Sequence, residues 1–142
     1  MSNYKELVIR LEKLREYLKI LKELKEKCAL ADFKRDNVLR GALERYLQLS
    51  AEAAIDIGEI IISELMLETP MSHKEIFEIM GKEKIIPPLL AVRFCDIAKF
   101  RNILVHDYVK LDLEKMYDYL RNDLADFKKY IIAIAKFIKK FN

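Results

Sequence analysis

The stretch YKELVIRLEKLREYLKILKELKEKC, residues 4–28, sets Tyr4, Leu7, Leu11, Leu14, Leu18, Leu21 and Cys28 at steps of three and four, broken only at Lys25. Charged residues fill the intervals, so one apolar stripe runs along a long helix, in the manner of a heptad repeat. Such a stripe packs inside a bundle or against a second copy of the chain; packing within one chain is the default expectation. Outward from this helix the composition stays helical. The 142 residues include only three glycines, three prolines and no tryptophan, and 52% are apolar, enough for a sizeable core. An all-α fold is expected, an antiparallel bundle of about five helices forming a single domain over residues 1–142.

Asp32 is placed to cap a second helix running to about Leu67, with Leu39, Ala42, Leu43, Tyr46, Leu49, Ala53, Ile57, Ile60 and Ile61 on its apolar arc. Thr69-Pro70 breaks that pattern. Ser72-His-Lys-Glu75 has the spacing of a capping box and opens a short third helix ending near Gly81. Pro87-Pro88 starts a fourth helix, because proline is tolerated in a first turn, and this helix runs toward His106. Asp112 caps a fifth, whose buried stripe is Met116, Tyr119, Leu120, Leu124, Phe127, Ile131, Ile134 and Phe137.

Charge narrows the classes of partner. Twenty-six basic and 23 acidic residues leave a formal +3, too balanced for a polycation, yet no acid follows Asp126 while Lys128, Lys129, Lys136, Lys139 and Lys140 do. The C-terminal end is expected to attract polyanions, unless these lysines are simply the solvated face of an amphipathic helix. Cys28 and Cys95 lack C-x-x-C spacing and the N-terminus lacks the apolar core of a secretory signal, so a reducing cytoplasm is expected. No window supplies the ~18–20 uninterrupted apolar residues of a membrane span.

The fourth helix carries the chemistry. At about 100° per residue, Leu90, Phe94, Ile97, Ala98, Leu104 and Val105 share one arc, and Arg101 falls near its centre. An unpaired guanidinium buried there costs several kcal/mol, which leaves two outcomes. Either Arg101 is paired internally, with Glu52 or Asp56 as the acids beside the second helix's arc, or it lines a wet cleft that receives an anion. Asn102 and His106 stand four apart on one side of the helix, where the amide can orient the imidazole. Tyr108 follows as the helix fades; by itself it is equally a packed tyrosine capping a backbone group. His73, the other histidine, lies in an expected first turn and is expected to face solvent.

Arg101-Asn-Ile-Leu-Val-His106-Asp-Tyr108 resembles the R-x4-H-x-Y signature of the HepT-like branch of the HEPN superfamily. The long first helix, Asp32-Phe-Lys-Arg-Asp36, Arg45-Tyr-Leu-Gln48, Glu52-Ala-Ala-Ile-Asp-Ile57 and the proline-started fourth helix agree with it across nearly the whole chain. The resemblance implies a homodimeric helical bundle, with two motif copies in one cleft acting as a metal-independent endoribonuclease without cofactor. It implies Arg101 and His106 as catalytic residues, Asn102 in support, and Tyr108 as the site at which a nucleotidyltransferase (MntA-like) antitoxin transfers AMP, in a type VII toxin–antitoxin system. The alternative expectation is a non-catalytic nucleotide- or protein-binding module that partners such a nucleotidyltransferase.

Overall fold

The computed structural model describes residues 3–106 and 112–141, folded as helices α1 (Tyr4–Lys27), α2 (Leu30–Arg35), α3 (Asn37–Glu64), α4 (His73–Lys82), α5 (Pro88–His106), α6 (Leu113–Asn122) and α7 (Leu124–Lys140). Tyr108 and the turn expected before Asp112 lie outside the described residues, as does the side chain of His106.

The leucines of the first stripe, Leu7, Leu11, Leu14, Leu18 and Leu21, are all buried. They pack within the chain against α3, α6 and α7. At the centre, α3 loses its one-sided character between Ser50 and Ile62, where Ala51, Ala53, Ala54, Ile55, Ile57, Gly58 and Ile61 are buried in succession. Small residues permit this, because a helix enclosed on several sides must let its neighbours approach closely. A Cβ on Gly58 would stand 2.4 Å from Ile76 Cγ2 and 2.9 Å from Met80 Sδ, so this glycine sets the approach of α4. The core closes on α7 through Tyr130, wholly buried, stacked on Phe94 and donating its hydroxyl to the Ala54 carbonyl at 2.7 Å. That one bond satisfies the only polar atom the ring brings into the core.

Seven helices are described where about five were expected, because two of the expected helices are cut. Asp32 sits inside α2, its carboxylate accepting the Ala29 N–H at 2.7 Å. Asp36 is the cap of α3, accepting from the N–H groups of Val38 and Leu39. The expected fifth helix turns at Asp123, whose carbonyl accepts from Asp126 and Phe127 and redirects the chain into α7. The remaining starts fall as expected. Ser72 caps α4 by accepting the Glu75 N–H, Pro88 opens α5, and Asp112 caps α6 by accepting from Glu114 and Lys115. Both cysteines are free thiols. No helix of the described residues is long and apolar enough to cross a membrane.

Candidate active site

The arc of α5 buries Leu90, Phe94, Ile97, Ala98 and Leu104, and Arg101 emerges between them at the seam with α3. Its side chain keeps 20% of its exposure, so the guanidinium lies neither sealed in the core nor free in solvent. Nη2 donates to Glu52 Oε1 at 3.3 Å, and Nη1 donates to Asn102 Oδ1 at 3.4 Å. Nε is buried and, among the described residues, has no hydrogen-bond partner.

A guanidinium offers five N–H donors in a planar fork, and a bidentate carboxylate would take two of them in parallel. Glu52 takes one, at a long distance. Its Oε1 also accepts from the Gln48 amide at 3.1 Å, one turn earlier on α3, which holds the carboxylate in place. Glu52 therefore orients Arg101 without saturating it. The internal partner expected from the sequence is real and is Glu52. Asp56, the other candidate, lies 3.6 Å from Arg10 Nη1 of α1. Burial raises the Asp56 carboxyl above its ordinary range and Arg10 opposes that shift; the neighbouring Glu52 adds to it, while Arg101 and His73 work against it. The seam of α1, α3 and α5 thus gathers two carboxylates and two arginines, with His73 at the first turn of α4 close enough to act on Asp56. His73 is half-buried, more enclosed than the solvent position expected for it.

Asn102 is exposed and turned to the arginine. Its expected role beside the imidazole lies outside the described residues, because the His106 side chain does. The backbone of α5 still carries His106 one helical turn beyond Asn102.

The motif helix and its bundle match known proteins. The family described as Ribonuclease HepT-like matches residues 14–134, most of the chain. The chain belongs to this family. The HepT-like chain is 31% identical over 140 residues to a tRNA nuclease HepT of Aphanizomenon flos-aquae, covering 97% of this chain and 95% of that protein. It is 31% identical over 104 residues to an mRNA nuclease HepT of Shewanella oneidensis, covering 73% of this chain and 78% of that one. Its fold is similar, with a TM-score of 0.83 and 25% identity over 92% of this chain and 96% of the other, to a tri-AMPylated Shewanella oneidensis HEPN toxin in complex with MNT antitoxin.

A second arginine on the HepT-like motif helix escaped the sequence reading. Arg93 Nη1 lies 3.0 Å and 3.3 Å from the two carboxylate oxygens of Asp126, which is buried on α7. The available signal was an acid one position before Phe127, on the stripe α7 buries. The pair borders a cavity of about 340 Å³ that Asp96, Asp118, Tyr119 and Asp123 also line.

Proposed function

We propose that this chain is the toxin of a type VII toxin–antitoxin pair, an endoribonuclease acting in the cytoplasm as a homodimer, with the whole activity carried by one helical domain. The observation that carries the assignment of roles is the under-used guanidinium of Arg101, which gives one N–H to Glu52 and one to Asn102 and keeps its other donors, Nε among them, unspent among the described residues. Unspent donors on a fixed planar cation suit the non-bridging oxygens of a phosphodiester, whose charge grows as the phosphorus becomes five-coordinate.

In this reading the RNA 2′-hydroxyl attacks the adjacent phosphorus and gives its proton to the neutral imidazole of His106. Arg101 stabilises the charge on the phosphoryl oxygens. The departing 5′-oxygen takes a proton from an imidazolium, supplied by the second protomer in a composite site, which leaves a 2′,3′-cyclic phosphate. An unperturbed imidazole titrates near ~6.5, so one histidine can be basic and its mate acidic near neutral pH. Asn102, already accepting a hydrogen bond from Arg101, helps to aim the fork at the phosphate. No metal ion has a part in this scheme.

The partner is a nucleotidyltransferase antitoxin, and Tyr108 is the acceptor. Attack of the Tyr108 phenolate on the α-phosphorus of ATP forms the tyrosyl–AMP bond and releases pyrophosphate. The adenylate adds bulk and negative charge two residues from His106, repelling the RNA phosphates that Arg101 would otherwise receive.

The deciding experiment is cleavage of purified tRNA and mRNA by the wild type, Arg101→Ala and His106→Ala. The expected result is loss of cleavage in both variants, each still cooperatively folded, and full activity in folded His106→Ala rejects the assignment. The Glu52 contact favours one second reading, a non-catalytic module whose cleft recognises the nucleotidyltransferase. Intact RNA after incubation with a wild type that still binds its antitoxin selects that reading.

A further inference from the structure

At the far end of the molecule, α7 faces the α4–α5 connection across a cleft of about 720 Å³. Its floor is apolar. Ile85, Ile86, Ile132 and Phe137 contribute to it, and Ile132 and the adjoining Phe141 remain 55% and 46% exposed. Exposed apolar side chains of this size beside a concave surface mark a place where another molecule sits.

The charged side chains around the floor are four lysines and one glutamate, Glu83. Lys129, Lys136 and Lys140 follow one edge of α7, and Lys84 stands opposite, on the connection. From Lys129 to Lys140 the helix rises roughly 16 Å, about three turns. Cations spread over that length suit a ligand whose negative charges are spread over the same length. A fatty acid, with a single headgroup, would use only one end. A nucleic acid meets the charge requirement but not the floor, since bases bind by stacking on exposed rings, and here isoleucines and prolines surround Phe137, which is 8% exposed, with Phe141 at the margin.

We propose that the cleft docks an acidic amphipathic helix of a protein partner, with its apolar stripe on Ile85, Ile132 and Phe137 and its carboxylates against Lys84, Lys129, Lys136 and Lys140. An apolar helix face laid into a groove is a recurrent recognition mode, and the flanking charge selects acidic partners and speeds their arrival. The cleft lies at the first turn of α5, and Arg101 stands thirteen residues along the same helix, roughly 20 Å away by helical rise. The surface is therefore separate from the RNA site and holds whether or not the chain cuts RNA.

The test uses the full chain and a fluorescein-labelled peptide of leucine and glutamate, about four turns long, with leucines at i, i+3, i+4 and i+7, followed by fluorescence anisotropy. Saturable binding is expected, weakened roughly tenfold by Ile132→Asp and by Lys136→Glu and abolished when the peptide's glutamates become lysines, with RNA cleavage unchanged in both variants. Absence of saturable binding, or binding by both variants as tight as the wild type's, overturns the proposal. So does a non-cleavable RNA of similar length, or oleate, whose binding is saturable and more sensitive to Ile132→Asp than the peptide's. Both substitutions are at exposed positions and thermal melts verify the fold; should Ile132→Asp melt early, Lys136→Glu alone decides.

Discussion

Arg93 and Arg101 sit two turns apart on α5, each beside one carboxylate, and they differ in which member of the pair is buried. At the first, the carboxylate is sealed: Asp126 keeps 4% of its side-chain exposure and both its oxygens lie within reach of one Nη, while Arg93 is 55% exposed. At the second, the cation is the enclosed member, 20% exposed against 30% for Glu52, and it is met by a single carboxylate oxygen. A buried carboxylate with both oxygens engaged has little capacity left for a ligand. A half-enclosed guanidinium with donors unspent is a receptor for an anion. Under the proposed function one helix thus carries a structural pair and a working pair, alike in residue type and different in geometry.

The sharpest way to break the comparison is to truncate each arginine. Arg101→Ala is expected to lower RNA cleavage by about 10²- to 10³-fold, the usual effect of losing one group that stabilises transition-state charge, and to cost about 1 kcal/mol or less in stability. Arg93→Ala is expected to do the reverse, because it strands the buried Asp126 carboxylate. Urea denaturation should show a loss of about 1–3 kcal/mol, with cleavage per folded molecule unchanged. Equal effects of the two substitutions on cleavage would erase the distinction.

Much of this was legible before any coordinates, for reasons that differ from element to element. The α1 leucines were readable because a two-sided helix prints its period directly, and the caps at Ser72 and Asp112 because a side-chain oxygen before a polar-flanked apolar run has few other uses. The cuts at Asp36 and Asp123 were not. Neither has a glycine or proline to mark it, the apolar period runs on through both, and Asp32 offered a cap four residues too early. Around the site, Arg101 was conspicuous as a cation on an apolar arc, and its partner was narrowed to two acids. The choice of Glu52 over Asp56 depended on Arg10 of α1, a contact between helices far apart in sequence. Arg93 and Asp126 were invisible for the same reason: only the packing of α5 on α7 makes them a pair.

A smaller effect sharpens the working pair. Glu52→Gln removes a negative charge from beside the guanidinium and keeps a side chain able to bond Gln48. RNA carrying a 2′-deoxy at the cleavage position should bind this variant a few-fold more tightly, while turnover falls because Arg101 is less well aimed. Weaker binding by Glu52→Gln would mean that Glu52 contributes to RNA recognition directly.

The smallest expected effect concerns the structural pair, and tests whether the one charge of Arg93 is already used up. Burial raises the Asp123 carboxyl above its ordinary range, Asp126 adds to the shift, and Arg93 only partly opposes it. Between the ordinary and the raised value the folded chain holds that proton more tightly than the unfolded chain does. Stability therefore falls as pH rises through this window and remains lower above it. Asp123→Asn removes the titration and no capping bond, since the Asp123 side chain makes none to α7. The variant should melt slightly higher than the wild type at pH 7 and the same at pH 3, where both carry an uncharged group. A lower melting temperature at pH 7 would show that Arg93 serves both aspartates at once, and that the pair on this side of α5 has spare capacity after all.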